Sequence, residues 1–133
     1  PETEGLRRRF GHDTRIEWLG RISDEERNRR LAGASVFCFP SLREGFGLPV
    51  LEAMHQGTPV VTSLGTATEE VAGDAAKLVE PRDPSALAEA LADVLDDPRL
   101  ARDLGRRGRA RAAEDTWDRS AQLVVDGSRE VLA

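Results

Sequence analysis

The stretch Glu44-Gly-Phe-Gly-Leu-Pro-Val-Leu-Glu52 decides how this chain is expected to fold. Gly45 and Gly47 carry no side chain, so the backbone can turn sharply there or lie close to another group. Pro49 has a fixed φ and no N–H, which suits the first turn of a helix. The stretch therefore predicts a loop that turns into a helix between two glutamates.

The start of that helix is a candidate anion site. Backbone amides from about Gly47 to Leu51 are expected to point outward at the positive end of the helix dipole, where phosphate binds well. Glu52 would lie about one turn inside the helix, and Glu44 would approach from the loop. An ionised carboxylate accepts hydrogen bonds from paired hydroxyls without donating any. A phosphate cradle flanked by two such carboxylates predicts a site for a sugar nucleotide.

Strand and helix patterns alternate on both sides of this stretch. Strands are predicted over residues 15–19, 35–39, 59–62 and 77–79. Helices are predicted over residues 23–31, 49–57, 66–71 and 84–95, after Pro98, and from about 117 to 132. The run at 35–39 is continuous and apolar, which indicates a strand buried on both faces.

The alternation predicts an α/β domain with a parallel sheet and right-handed crossovers. The helix that begins at Pro84 is expected to bury one stripe, formed by Leu87, Leu91, Val94 and Leu95. In such sheets ligands bind beyond the carboxyl ends of the strands. The Glu44–Glu52 stretch follows the strand at 35–39, so it is expected at that edge.

The composition fits one folded domain. The chain has 133 residues, 39% hydrophobic and 32% charged, and this length can bury a core. The net charge of -5 gives no reason to expect a nucleic acid as partner. Arginines cluster at 7–9, 29–30 and 106–107 with acids nearby, which predicts solvated helix faces.

The cysteine content predicts a reducing compartment. Cys38 is the sole cysteine and lies in the apolar run Val36-Phe-Cys-Phe39, which predicts a buried thiol. Neither a signal peptide nor an apolar stretch of membrane-spanning length is evident in the sequence. These features together predict a cytoplasmic location.

With its flanks, the stretch strongly resembles the group 1 glycosyltransferases (family 4), retaining enzymes of the GT-B fold. The matching segments are residues 36–41, 44–54, 57–61, 16–20, 68–74, 78–81 and 116–117. In the GT-B fold two Rossmann-like domains face each other across a cleft. The resemblance implies that residues 1–133 are part of the C-terminal, nucleotide-sugar-binding domain. The implied fold is a Rossmann-like parallel sheet with flanking helices that lacks its first strands.

The resemblance also implies roles for the site residues. Glu44 would act in catalysis by contacting hydroxyls of the transferred sugar, and Glu52 would bind the ribose diol. Further donor-binding positions are Gly45, Phe46 and Gly47 toward the sugar, Leu48 and Val50 toward the phosphates, and Arg21 and Ile22 toward the base. No His/Cys/Asp cluster has metal-ligand spacing, and enzymes of this kind usually need no metal, so neither a metal nor a cofactor is expected.

Family members carry further parts ahead of this region. One is an acceptor-binding N-terminal domain, and another is a pair of early strands whose Gly-Arg and Lys clamp the diphosphate. No such Gly-Arg and Lys element precedes Ile16. We therefore expect incomplete neutralisation of the diphosphate, weak nucleotide binding, and no sugar transfer by this polypeptide alone.

The same comparison predicts a gap in the sheet. In a sheet ordered 3-2-1-4-5-6, the two early strands would separate the Ile16 strand from the Val36 strand, leaving unpaired edges. Three outcomes are expected: the two strands pair, a second chain covers the edge in an oligomer, or the chain is an excerpt of a longer protein.

The predicted function is donor binding in a retaining glycosyltransferase that moves a sugar from a nucleoside-diphosphate sugar to an acceptor hydroxyl. The base, the sugar and the acceptor stay open, as does a membrane-peripheral role of the full enzyme. Two alternatives also stay open: a related phosphorylase or synthase, and a stand-alone sugar-nucleotide-binding module or inactive remnant. Taken alone, Glu44 could be a solvated loop acid and Glu52 an acid that stabilises the helix start.

Overall fold

The computed structural model describes residues 2–114. The elements follow in the order α1 (Glu2–Phe10), α2 (Asp24–Gly33), β1 (Phe37–Phe39), α3 (Leu48–His55), β2 (Val60–Ser63), α4 (Ala67–Ala72), β3 (Lys77–Val79), α5 (Pro84–Asp96) and α6 (Pro98–Glu114). The predicted helix over residues 117–132, with Trp117, lies outside the described residues. Helix α1 is an addition that the sequence patterns did not predict.

The three strands form one parallel sheet in the order β1-β2-β3. Phe37 pairs with Val60, and Val61 pairs with Lys77. Helix α3 connects β1 to β2 and helix α4 connects β2 to β3, as parallel pairing requires. All four residues of β2 are buried, as its central position predicts. The predicted α/β class is therefore confirmed.

The hydrophobic core has two parts, one on each face of β2. Val60 packs with Val50 and Met54 of α3, whereas Val61 packs with Val94 of α5 and Leu104 of α6. Successive side chains of a strand point to opposite faces, so this short strand contributes to both parts. Helix α6 contributes to both parts, Ala112 to the first and Leu104 to the second, so it also packs directly on α3.

Strand β1 differs from its prediction. Phe37 and Phe39 pack on the α3 side of the core, but Cys38 points to the other face and is exposed. Among residues 2–114, helices α5 and α6 pack against β2, and α5 also against β3, and neither buries Cys38. The predictions of a strand buried on both faces and of a buried thiol are therefore wrong. The atoms around Cys38 still desolvate its thiol enough to raise the pKa.

Residues 15–19 form no strand, which corrects a second prediction. Ile16 and Leu19 are exposed instead of packed in a sheet. Both carboxylate oxygens of Glu17 accept hydrogen bonds from Arg30 of α2, each at 2.9 Å. The segment is thus held on α2, and its pairing with the Val36 strand, one of the three expected outcomes, does not occur.

Helix α5 buries most of its predicted stripe. Val94 and Ala90 are buried, and Leu87 and Leu91 pack against them, but Leu95 is 56% exposed. Leu95 lies about 100° further round the helix than Val94, beyond the side that faces β2 and β3. The prediction for Leu95 is therefore wrong.

Helix α6 binds the ends of two other helices through its arginines. Arg111 donates to the carbonyls of Val71 and Glu70 in α4, the latter at 2.6 Å. Arg109 donates to the carbonyl of Gln56, just after α3, at 3.1 Å. Carbonyls at helix ends lack partners within the helix, so these arginines satisfy groups that would otherwise need water.

The predicted solvated faces hold for only some of the arginine clusters. Residues 7–9 are exposed along α1. Arg107 is half-buried, and it donates to the carbonyl of Asp74 at 2.7 Å and to the carboxylate of Asp103 at 2.6 Å. Arginines of α6 thus help to fix the helix in place.

Helix α6 approaches α3 closely because two glycines face it. A Cβ added at Gly105 would overlap the carbonyl oxygen of Gly57, and one at Gly108 would lie 3.2 Å from Cγ of Met54. These glycines let the two backbones come nearer than side chains allow.

We predict that Gly105→Ala lowers the free energy of unfolding by about 1–3 kcal/mol, because the backbone oxygen of Gly57 can yield little space to the new methyl group. Urea unfolding followed by circular dichroism measures the effect. Gly33→Ala is the matched control: it is also a helical glycine, with nothing within 4 Å of its added Cβ. It should be neutral or stabilising, and equal effects of both variants would contradict the prediction.

Candidate functional site

The loop before α3 ends in a glycine that the structure requires. Gly47 caps the helix with φ 88° and ψ 33°, a left-handed conformation that favours glycine, and Pro49 follows in the first turn. An added Cβ at Gly47 would lie 3.3 Å from Cγ2 and 3.4 Å from Cα of Thr68. The predicted turn into a helix is confirmed, and this turn packs directly on α4.

The helix start leaves backbone donors open. Within the described part of the chain, the amides of residues 45–48 donate no hydrogen bond. The amides of Val50 and Leu51 donate to the carbonyl of Gly47, at 3.0 and 3.3 Å. Pro49 has no N–H. The open donors therefore lie in the loop and first helical residue, and Val50, a predicted phosphate-binding position, has its amide already engaged.

The two glutamates line one open cavity of about 520 Å³. Its lining residues come from α2, β1, the loop and α3: Arg27, Leu31, Phe37, Glu44, Phe46, Gly47, Leu48, Pro49 and Glu52. The structure thus brings Glu44, Phe46, Gly47, Leu48 and Glu52 of the predicted site to one place.

Four predicted site residues do not line this cavity: Gly45, Val50, Arg21 and Ile22. The side chain of Val50 is fully buried in the core. Arg21 and Ile22 precede α2, and the structure does not bring them to the cavity. The predicted assignment of the base to that segment therefore finds no geometric support in residues 2–114.

Glu52 has a neighbour that the sequence interpretation missed. Oε1 of Glu52 lies 3.3 Å from Nη2 of Arg27, and Nη1 of Arg27 donates to Asp24 at 3.1 Å. Arg27 lies one turn before the core residue Leu31 on α2, so both are on the same face of that helix. This spacing was a signal in the sequence that Arg27 faces α3.

Glu44 has a different environment. It is half-buried, and within the described residues it makes no hydrogen bond or ion pair. Phe46 and Leu48 beside it are 38% and 46% exposed, so the rim is apolar. Among residues 2–114, two carboxylates and one guanidinium line the cavity, so negative charge is in excess among these groups.

Hydroxyl groups of Thr66 and Thr68 form hydrogen bonds beside the Gly47 turn, on the side of α4. Cγ2 of Thr68 lies 3.3 Å from the place that a Cβ on Gly47 would take. Oγ1 of Thr68 is 2.6 Å from Oγ1 of Thr66 and donates to the carbonyl of Ser63 at 3.3 Å. Thr68 and Ser63 are fully buried at the carboxyl end of β2. These bonds fix the start of α4 to the end of β2, next to the loop that carries Glu44.

Across residues 2–114, no three His, Cys, Asp or Glu residues are grouped so that they could hold a metal ion. None of the helices there is long and apolar enough to cross a membrane.

Curated proteins that are similar in sequence include enzymes named for the transfer of a sugar. The "MMP alpha-(1->4)-mannosyltransferase" of Mycolicibacterium hassiacum is 45% identical over 135 residues, which cover 98% of this chain. The "O-antigen chain mannosyltransferase B" of Escherichia coli is 40% identical over 111 residues, 84% of this chain. The chain spans only 33% and 29% of the lengths of these two relatives.

Solved structures show the same fold. Sucrose-phosphate synthase from Thermosynechococcus elongatus superposes with a TM-score of 0.81 at 33% identity, over 98% of this chain and 34% of that one. The C-terminal domain of a glycosyl transferase group 1 family protein from Francisella tularensis superposes with a TM-score of 0.69 at 27% identity, over 86% of this chain and 60% of that one. The likeness to a C-terminal domain supports the predicted GT-B half-domain.

The profile of the family "Glycosyl transferases group 1" matches residues 4–111. This range is most of the chain and includes both glutamates and α2 through β3. The chain therefore belongs to the group 1 glycosyl transferases, as the resemblance predicted.

We predict that Gly47→Ala lowers the free energy of unfolding more than Gly65→Ala. Both glycines have positive φ, 88° and 71°, so an alanine is strained at either position. Only at Gly47 would the new methyl group also press on Thr68, whereas it would meet nothing within 4 Å at Gly65. We expect about 1–3 kcal/mol beyond the control, measured by urea unfolding. Equal losses would show that the contact with α4 does not constrain the turn.

Proposed function

From this family membership, we propose that residues 1–133 form part of the nucleotide-sugar-binding domain of a retaining glycosyltransferase. The enzyme would transfer a sugar from a nucleoside-diphosphate sugar to an acceptor hydroxyl. One observation carries the proposal: Glu44 and Glu52 line the same cavity, with open backbone donors between them.

The proposed roles follow the chemistry of each group. Glu52, inside α3, accepts hydrogen bonds from the ribose diol, and Glu44, in the loop, accepts them from hydroxyls of the sugar. The amides of residues 45–48 meet the sugar and the phosphates near the positive end of the helix. Val50 contributes packing, because its amide is engaged and its side chain is buried.

In the proposed reaction, the donor is held with its anomeric carbon between the phosphate and the acceptor hydroxyl. Glu44 orients the sugar, which saves part of the entropy that the reaction would otherwise lose. Negative charge develops on the departing diphosphate, and amides of the helix start stabilise it. The bond from the anomeric carbon to phosphate breaks, the bond to the acceptor oxygen forms on the same face, and the proton of the acceptor hydroxyl passes to an oxygen of the departing diphosphate.

The names of the relatives favour a particular sugar. Two of the similar proteins are called mannosyltransferases, at 45% and 40% identity. We therefore propose that the transferred sugar is mannose, carried by a nucleoside diphosphate. The base is tested with a panel of uridine, guanosine and adenosine diphosphate sugars.

The charge of the cavity affects how strongly the 133-residue chain by itself can bind a nucleotide. A diphosphate would enter a cavity where, within the described part of the chain, two carboxylates outnumber one arginine. Like charges raise the cost of binding unless other cations compensate. This balance supports the proposal that the 133 residues alone bind nucleotide weakly and do not transfer sugar.

A synthase is the second candidate, and it is favoured by the similarity to sucrose-phosphate synthase. Its acceptor would be a free sugar or a sugar phosphate. In an acceptor screen, transfer confined to free sugars and sugar phosphates would favour this candidate.

We predict that Glu52→Ala weakens binding of both a nucleoside diphosphate and its sugar conjugate, whereas Glu44→Ala weakens binding of the conjugate alone. Loss of the diol contact at Glu52 should cost on the order of 1–3 kcal/mol. Calorimetry at millimolar ligand concentration measures both affinities for each variant.

Glu89→Ala is the matched control, since Glu89 is an exposed glutamate on α5 that does not line the cavity. It should leave both affinities unchanged. If Glu52→Ala behaved like this control, the proposed diol contact would be wrong.

We also predict no sugar transfer by the purified 133-residue chain with any donor of the panel. The physical reason is incomplete stabilisation of the departing diphosphate in a cavity with excess negative charge. Release of nucleoside diphosphate in the presence of mixed acceptors is the measurement. Sustained turnover well above a Glu44→Ala background would contradict this expectation.

A further inference from the structure

Arg27 links helix α2 to helix α3 at the cavity. Its Nη2 lies 3.3 Å from Oε1 of Glu52, and its Nη1 donates to Oδ1 of Asp24 at 3.1 Å. One guanidinium therefore joins two carboxylates on two different helices. The side chains of Arg27 and Glu52 are 39% and 35% exposed, so the pair is only partly open to solvent.

The other arginines near the end of α2 make different contacts. Arg29 bonds to Glu26 on its own helix, at 2.6 and 2.9 Å. Arg30 bonds to Glu26 and to Glu17. Of the arginines in the described part, Arg27 alone lines the cavity with the two predicted donor-binding glutamates.

The burial of Arg27 is costly for the fold. Its Nε is buried and has no acceptor among residues 2–114. A buried donor without an acceptor destabilises a protein, and the long side chain also loses rotamer freedom. Stability alone is thus a poor explanation for an arginine that reaches Glu52 from the neighbouring helix.

We propose that Arg27 is a positioning residue that holds the Glu52 carboxylate ready for the ribose diol. This inference rests on the proposed function of Glu52. The contact between Nη2 and Oε1 at 3.3 Å is an ion pair, and a carboxylate has about four acceptor positions, so two hydroxyls can still bind. Asp24 holds the other end of the guanidinium and limits its rotation. A carboxylate fixed before the ligand arrives loses less entropy on binding.

A double-mutant cycle tests the proposal. The unmodified chain, Arg27→Met, Glu52→Gln and the double variant are titrated with guanosine diphosphate and with uridine diphosphate. We expect Arg27→Met to weaken binding about 5- to 30-fold when Glu52 is present, and less than about 2-fold when it is replaced by Gln. This loss of effect would mean that Arg27 acts through Glu52.

Two single variants complete the test. Arg29→Met removes an arginine from the same helix that does not line the cavity, and it should leave binding unchanged. Arg27→Lys keeps the charge but cannot bridge two carboxylates in one fixed plane, so its affinity should lie between those of the unmodified chain and Arg27→Met. Thermal unfolding of each variant verifies that it is folded at the titration temperature.

Other outcomes overturn the proposal. Equal losses from Arg27→Met with and without Glu52 would indicate a direct ligand contact or a general structural effect. No loss from Arg27→Met in either background would show that Glu52 needs no such support. If the unmodified chain bound neither nucleotide, the proposed function and this inference would both fail, whereas binding with additive losses would overturn only the role of Arg27.

Discussion

The close contact between the Gly47 turn and helix α4 is the constraint on which the site depends. The left-handed backbone of Gly47 and the neighbouring Thr68 of α4 together fix the angle at which the chain enters α3. That direction aims the start of α3 at the cavity, and it also sets where Glu44 and Glu52 lie. The bonds from Thr68 to Ser63 and Thr66 then connect the turn to the end of the central strand.

The elements that could be predicted are those whose signals are local. A short apolar run after Pro59 becomes the buried strand β2, and Gly47 with Pro49 begins α3. That Glu44 and Glu52 line one cavity could also be predicted from this stretch, because only a short loop and the first turn of α3 separate them along the chain.

The failed predictions depend on neighbours far along the chain. The apolar run Val36-Phe-Cys-Phe39 predicts a buried strand. Burial of Cys38 would need a helix over its face of β1, but α5 and α6 lie over β2 and β3. Residues 15–19 have a strand pattern, yet Arg30 holds Glu17 on α2. Arg27 reaches the site only through the packing of α2 against α3. Tertiary contacts outweighed local patterns in each case.

The exposed thiol of Cys38 can report whether its face of strand β1 is covered by another polypeptide. It is the sole cysteine in the sequence, so a thiol reagent would label the chain at a single position. Partial burial raises the pKa of the thiol, and the reactive thiolate therefore becomes abundant only in alkaline buffer. Any polypeptide that shields this face of β1 would slow the labelling, which makes alkylation rate a simple gauge of assembly.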